Sequence, residues 1–116
     1  MKVEKVKYVL WVKDMDKAIA FYRDLFGGEV SIQTETWSEV VVCGSNIGLH
    51  NDGSGERTWT GLSFQLEDLR SGIEELKAAG GDLTREPNDT PEDPLHLAMC
   101  VDLDGNEFMM TQRREH

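Results

Sequence analysis

Few side chains in this sequence have the chemistry for catalysis or specific binding: three histidines, two cysteines, three tryptophans and a scatter of charged residues. His50 stands two residues beyond Gly48 in a strand-like run, so both lie on one strand face. Placed there, it can contact a ligand, act as a general base or bind a metal; a hydrogen-bonded histidine near a strand end is the competing reading. His96 lies opposite in parity to Leu95, Leu97, Met99 and Val101 and is a second inward candidate, whereas His116 is terminal. Convergence of His50, His96 and Glu107 would build a metal site, although no short-range ligand spacing supports one. Trp11, Trp37 and Trp59, with Met109, offer planar and adaptable walls for a flat ligand, or material for a core or dimer interface. Cys43 and Cys100 lie in apolar runs without C-x-x-C spacing, which favours free buried thiols over a disulfide framework, a zinc knuckle or a catalytic cysteine.

The elements that must position these residues are written twice. Val6–Ile32 and Thr60–Glu86 each open with a strand-like run, pass an acidic cap (Asp14, Asp68) and enter an amphipathic helix. Each helix ends at a glycine pair, Gly27-Gly28 or Gly80-Gly81, and a further strand follows. Two more strands complete each half: 38–43 and 46–50, then 95–101 and 107–112. The sequence therefore predicts an α+β fold of two tandem βαβββ modules forming curved mixed sheets around a cleft. The whole of 1–116 is expected to be one domain, with a first repeat over about 4–50, a polar linker at 51–59 and a second repeat over about 60–113. Strand parity puts Tyr8, Leu10 and Val12 under the first helix and sends Lys7, Val9 and Trp11 to the other face. In the second copy Leu62, Phe64 and Leu66 take the helix side, leaving Gly61, Ser63 and Gln65 opposite.

Charge narrows the function classes. Twelve basic against twenty-two acidic residues give a formal charge of −10 and a pI near 4.6, which opposes binding to a phosphate backbone or an anionic membrane surface. Hydrophobic residues make up 39% of the chain, enough to fold, yet no apolar run approaches the length of a membrane span. The N-terminus lacks the features of a signal peptide, so a cytoplasmic location is expected.

Three pieces, Val12-Lys-Asp-Met-Asp-Lys-Ala-Ile-Ala-Phe-Tyr22, Leu25-Phe-Gly-Gly28 and Asp102-Leu-Asp-Gly-Asn-Glu-Phe108, set in this duplicated order, resemble the vicinal oxygen chelate superfamily. That superfamily includes glyoxalase I, extradiol dioxygenases, and the fosfomycin-resistance and bleomycin-binding proteins. The turn departs from the family pattern only in carrying Leu103 where proline is usual. The resemblance implies a divalent metal held by side chains at positions that fall here on Lys7, Gly48, Gly61 and Met109. An ammonium, two hydrogens and a thioether make no hard-metal site, so neither metal nor other cofactor is expected.

In place of a metal, Lys7 can hold an anionic or carbonyl oxygen, or it can pair with a carboxylate such as Glu39 or Glu107. The favoured expectation is a metal-free small-molecule binding protein using Trp11, His50, Lys7, Gln65, Met109, Trp37 and Trp59, with the acidic balance favouring an aromatic ligand that is neutral or cationic. The alternatives are a lyase, isomerase or dioxygenase with a relocated metal or metal-independent chemistry through His50 and Lys7, and a dimeric interaction module without a ligand. Relatives of this size imply a homodimer.

Overall fold

A computed structural model describes residues 1–114, so His116 lies outside the described residues. The chain forms two compact units, one over Met1–Glu56 and the other from Arg57 onward.

In the first unit, β1 (Lys7–Trp11) leads into α1 (Met15–Phe26), then β2 (Glu29–Gln33), β3 (Trp37–Val42) and β4 (Ser45–His50). The strand order is β1-β4-β3-β2, with β1 parallel to β4 and the other pairs antiparallel. Helix α1 starts where Asp14 accepts a hydrogen bond from the Lys17 amide, and it stops at Gly27, whose φ of 68° is left-handed. Its apolar stripe of Ala18, Ile19, Phe21 and Tyr22 is buried, and the helix packs on β3 and β4. Leu10, Ile47 and Leu49 are fully buried in the same core, each contributing roughly 1.5–3 kcal/mol of transfer free energy. Tyr8, expected under the helix, is instead 40% exposed, because β1 is the edge strand and α1 sits over the strands beyond it. Cys43 is also exposed rather than buried. With φ of 47° and 78°, Cys43 and Gly44 form the two-residue turn between β3 and β4, whose primed geometry matches the twist of a hairpin.

The second unit repeats the order: β5 (Thr58–Leu66), α2 (Leu69–Ala78), β6 (Asp82–Leu83), β7 (Leu97–Val101) and β8 (Asn106–Gln112), in the sheet β5-β8-β7-β6. Asp68 caps α2 through the amide and hydroxyl of Ser71. Leu69 and Leu76 on the helix, Leu62 on β5, Ala98 and Cys100 on β7, and Phe108 and Met110 on β8 are buried. Leu103, the departure from the family turn, is exposed, while Asp102 makes the turn by accepting from the amides of Asp104 and Asn106. Strand β5 reaches back to Thr58, into the expected linker, and its register against β8 slips between Trp59 and Ser63. Gly61 sits in that slip at a φ of 76°, a conformation that side chains disfavour. Strand β7 begins at Leu97, which leaves Leu95 and His96 in the proline-containing loop.

Candidate functional site

Strand pairing in the first unit sets out a grid on the face opposite α1. Lys7, Asn46, Val41 and Glu29 form one row across β1, β4, β3 and β2; Val9, Gly48, Glu39 and Ile32 form the next; Trp11, His50 and Trp37 form the third. Parity therefore brings the predicted Lys7, Trp11, His50 and Trp37 onto one surface.

At the centre of this grid is Glu39, whose side chain is only 1% exposed. Its Oε1 accepts from Lys5 Nζ at 2.9 Å, Oε2 accepts from the Trp37 indole N–H at 2.9 Å, and Lys7 Nζ lies 3.8 Å from Oε2. The hydrogen bonds from Lys5 and then Trp37 hold the carboxyl below its usual range against the opposing effect of burial. A carboxylate this deeply buried needs such partners to stay charged. The Trp37 ring lies directly on Gly48, so a Cβ at that position would run into it. Lys7 in turn stands 5.3 Å from the centroid of the same ring, a cation–π distance.

The third row is aromatic. His50 Nδ1 lies 2.7 Å from the Asn51 carbonyl oxygen. A carbonyl only accepts, so Nδ1 carries a proton, and in the neutral form of the ring Nε2 is an acceptor. The Trp11 and His50 ring centroids are 4.0 Å apart with a 43° tilt, and Trp37 meets His50 edge-on at 6.3 Å. Trp11 remains 52% exposed.

In the second unit the corresponding face carries Trp59, Ser63 and Gln65 on β5, Glu107, Met109 and Thr111 on β8, and Leu97, Met99 and Val101 on β7. Trp59 and Gln65 are exposed, and Met109 is half-buried between Ser63 and Met99 in the ladder. Glu107 pairs with Arg57 at 3.2 Å. His96 is held off the strands by the Pro94 carbonyl, Asp93 and Arg114. Its backbone accepts from Gln112 at the far end of β8 from Glu107, a span of roughly 17 Å for five residues. Those two members of the relocated metal site therefore do not converge.

The positions where the family resemblance puts metal ligands do not fit a metal. Lys7 is engaged with Glu39, the space above Gly48 holds the Trp37 ring, Gly61 has a φ that disfavours a side chain, and Met109 offers only a thioether. Among the described residues no group of three or more His, Cys, Asp or Glu side chains is placed to hold a metal ion. Sequence reasoning named Glu39 only as one possible partner for Lys7 and missed Lys5. Glu39 shares parity with Trp37 and Val41, a signal sufficient to place it on this face.

A sequence model of the Glyoxalase/Bleomycin resistance protein/Dioxygenase superfamily matches residues 6–110. The chain is 26% identical over 123 residues to a probable lactoylglutathione lyase of Vibrio parahaemolyticus, and 25% identical to a protein of the same description from Vibrio cholerae. Each match covers 92% of this chain and 88% of the relative. Among solved structures, the fosfomycin resistance protein FosX of Listeria monocytogenes is similar with a TM-score of 0.79 at 21% identity, covering 98% of this chain and 96% of that one. A superfamily member from Sphaerobacter thermophilus gives 0.74 at 22% identity, covering 97% and 98%. FosX has also been crystallised with manganese(II) and sulfate. At these identities the structural likeness is one of fold.

Proposed function

The chain belongs to the Glyoxalase/Bleomycin resistance protein/Dioxygenase superfamily, and from that premise we propose that it is a metal-free binding protein for a small aromatic molecule. The observation that carries this reading is the packing of the Trp37 ring onto Gly48 while its indole N–H serves Glu39. The cations of this face are two ammonium groups beside the protein's own carboxylate, Lys5 hydrogen-bonded to it and Lys7 3.8 Å from it. What the face offers a ligand is the half-exposed Trp11, the Nε2 atom of His50 and the head of Lys7. In the second unit, Gln65, Met109 and Trp59 are the proposed ligand contacts of that unit's own open face.

Two measurements test it. Untagged protein should carry far less than one equivalent of manganese, iron, nickel, zinc or cobalt by elemental analysis, and aromatic ligands should bind with the same affinity with and without a chelator. Stoichiometric metal surviving dialysis would overturn the reading.

The fixed tautomer of His50 favours a second reading, in which Nε2 takes a proton from a substrate and Lys7 steadies the resulting anion. Here the reaction needs no metal, and the names of the Vibrio relatives make a lyase the first activity to assay. The readings part at His50→Ala. An enzyme loses turnover by a large factor while affinity is nearly kept, whereas a binder converts nothing and shows only a modest loss of affinity.

A further inference from the structure

We propose that the ligand of the Trp11–His50–Trp37 face is a hydroxyaryl carboxylate: a planar ring system with an anionic group at one end and a hydrogen-bond donor at the other. This rests on the binding reading above and goes on to name the ligand's chemical class. The formal charge of −10 taken alone favours a neutral or cationic ligand, but the charges near the face point the other way. Two ammonium groups, Lys5 and Lys7, share the single carboxylate of Glu39. Lys5 takes the close contact, while Lys7 stands at 3.8 Å, beyond a hydrogen bond, with a side chain 41% exposed. Its neighbour across the strand is the uncharged Asn46. The other acid in that row, Glu29, is three strands away on β2, roughly 14 Å at the usual strand spacing and beyond the screening length at physiological salt. Two ammonium groups against one carboxylate thus leave one net positive charge here, and Lys7, ion-paired but not hydrogen-bonded to Glu39, is the head that can turn to an anion.

The other end of the ligand is specified by His50. With its Nδ1 proton committed to the Asn51 carbonyl, the neutral form of the ring offers Nε2 as an acceptor, and a ligand that brings an O–H or N–H satisfies it. Beside His50, the exposed Trp11 ring offers a stacking surface. The Trp37 ring lies 5.3 Å from Lys7 Nζ and 6.3 Å from the His50 ring, which keeps those two groups within about 12 Å of each other. Allowing a hydrogen bond of about 2.8 Å at each end, at most about 6 Å is left between the ligand's two polar groups, the distance across one aromatic ring, with or without a second ring fused at its side.

Titration calorimetry on the intact protein, with four probes, tests the class: a hydroxynaphthoate, its primary amide, the matching aminomethyl naphthol and the naphthoate without its hydroxyl. The hydroxynaphthoate should bind roughly tenfold more tightly than the amide or the amine at low salt, an advantage that narrows as salt is added. The naphthoate lacking the hydroxyl should bind several-fold more weakly. Lys7→Met should abolish the preference for the carboxylate over the amide, while Lys7→Arg keeps the preference. Should Lys7→Met fail to fold, the salt dependence of the unaltered protein decides. If the amide or amine binds as tightly as the carboxylate, the ligand class is wrong and the binding reading stands. If none of the four binds, both fall.

Discussion

Glu39 sets the charge balance of the first unit's open face, because a buried carboxylate binds Lys5 and Trp37 and draws Lys7 towards it. Glu39→Gln keeps the shape but removes the charge. Its lysine partners are about two-fifths exposed and water screens them, so the expected cost is at the low end for charged hydrogen bonds, about 1–2 kcal/mol by denaturant titration near neutral pH. The sign with pH follows from the lowered folded value. The stabilisation is complete above the carboxyl's ordinary value of 4.5 and is lost as pH falls through the lower folded value. The difference between wild type and Glu39→Gln should therefore shrink in acid; a constant difference down to pH 3 would remove the ionised Glu39 from this account. Parity alone was enough to place Lys7, Trp11 and His50 on a common face. The turn of Trp37 onto Gly48 was not legible, since it depends on a neighbouring strand having no side chain at the point of contact.

At the scale of elements, the two cysteines show where local pattern succeeds and where it fails. Cys100 lies inside β7, and burial pushes its thiol up to about 12, with a hydrogen bond from the Met110 backbone opposing the shift. Cys43 extends the apolar run of β3 in the sequence, but it occupies a left-handed turn position and is exposed. Native protein should thus be alkylated at Cys43 alone, with Cys100 reacting only after unfolding, as peptide mass mapping would show; rapid native labelling of Cys100 would contradict its burial. Since its folded value is raised, the stability linked to Cys100 is present below the ordinary thiol value of 9.0 and declines as pH rises towards 12. The helix starts at Asp14 and Asp68 were legible because a cap is a contact over three residues. The start of β5 at Thr58 was not, because pairing with β8 fixes it across some fifty residues of chain.

Across the whole molecule, the duplication of the fold was plain in the sequence, but the chemistry is not duplicated with it. By ladder register His50 corresponds to Thr111, Trp37 to Leu97 and Glu39 to Met99, so the Glu39 carboxylate and the aromatic row of this face have no counterparts at those positions of the second unit. The units do share an edge strand at the same position, β1 in one sheet and β5 in the other. Edge strands expose unpaired backbone groups, and β1 also carries exposed Tyr8, Val9 and Trp11, with exposed Val6 just before it. These features support a homodimer, and light scattering should give about twice the 13.1 kDa of one chain. Val6→Lys tests the arrangement, since it puts a charge beside the strand and leaves Lys7, Trp11 and His50 unaltered. A dimer built on β1 should dissociate in this variant by at least roughly tenfold, while the calorimetric response to aromatic ligands persists. If ligand binding is lost together with the dimer, the Trp11 face needs a second copy to be complete. A single-chain mass for the unaltered protein at micromolar concentration would refute the dimer and leave Trp11 exposed for a ligand alone.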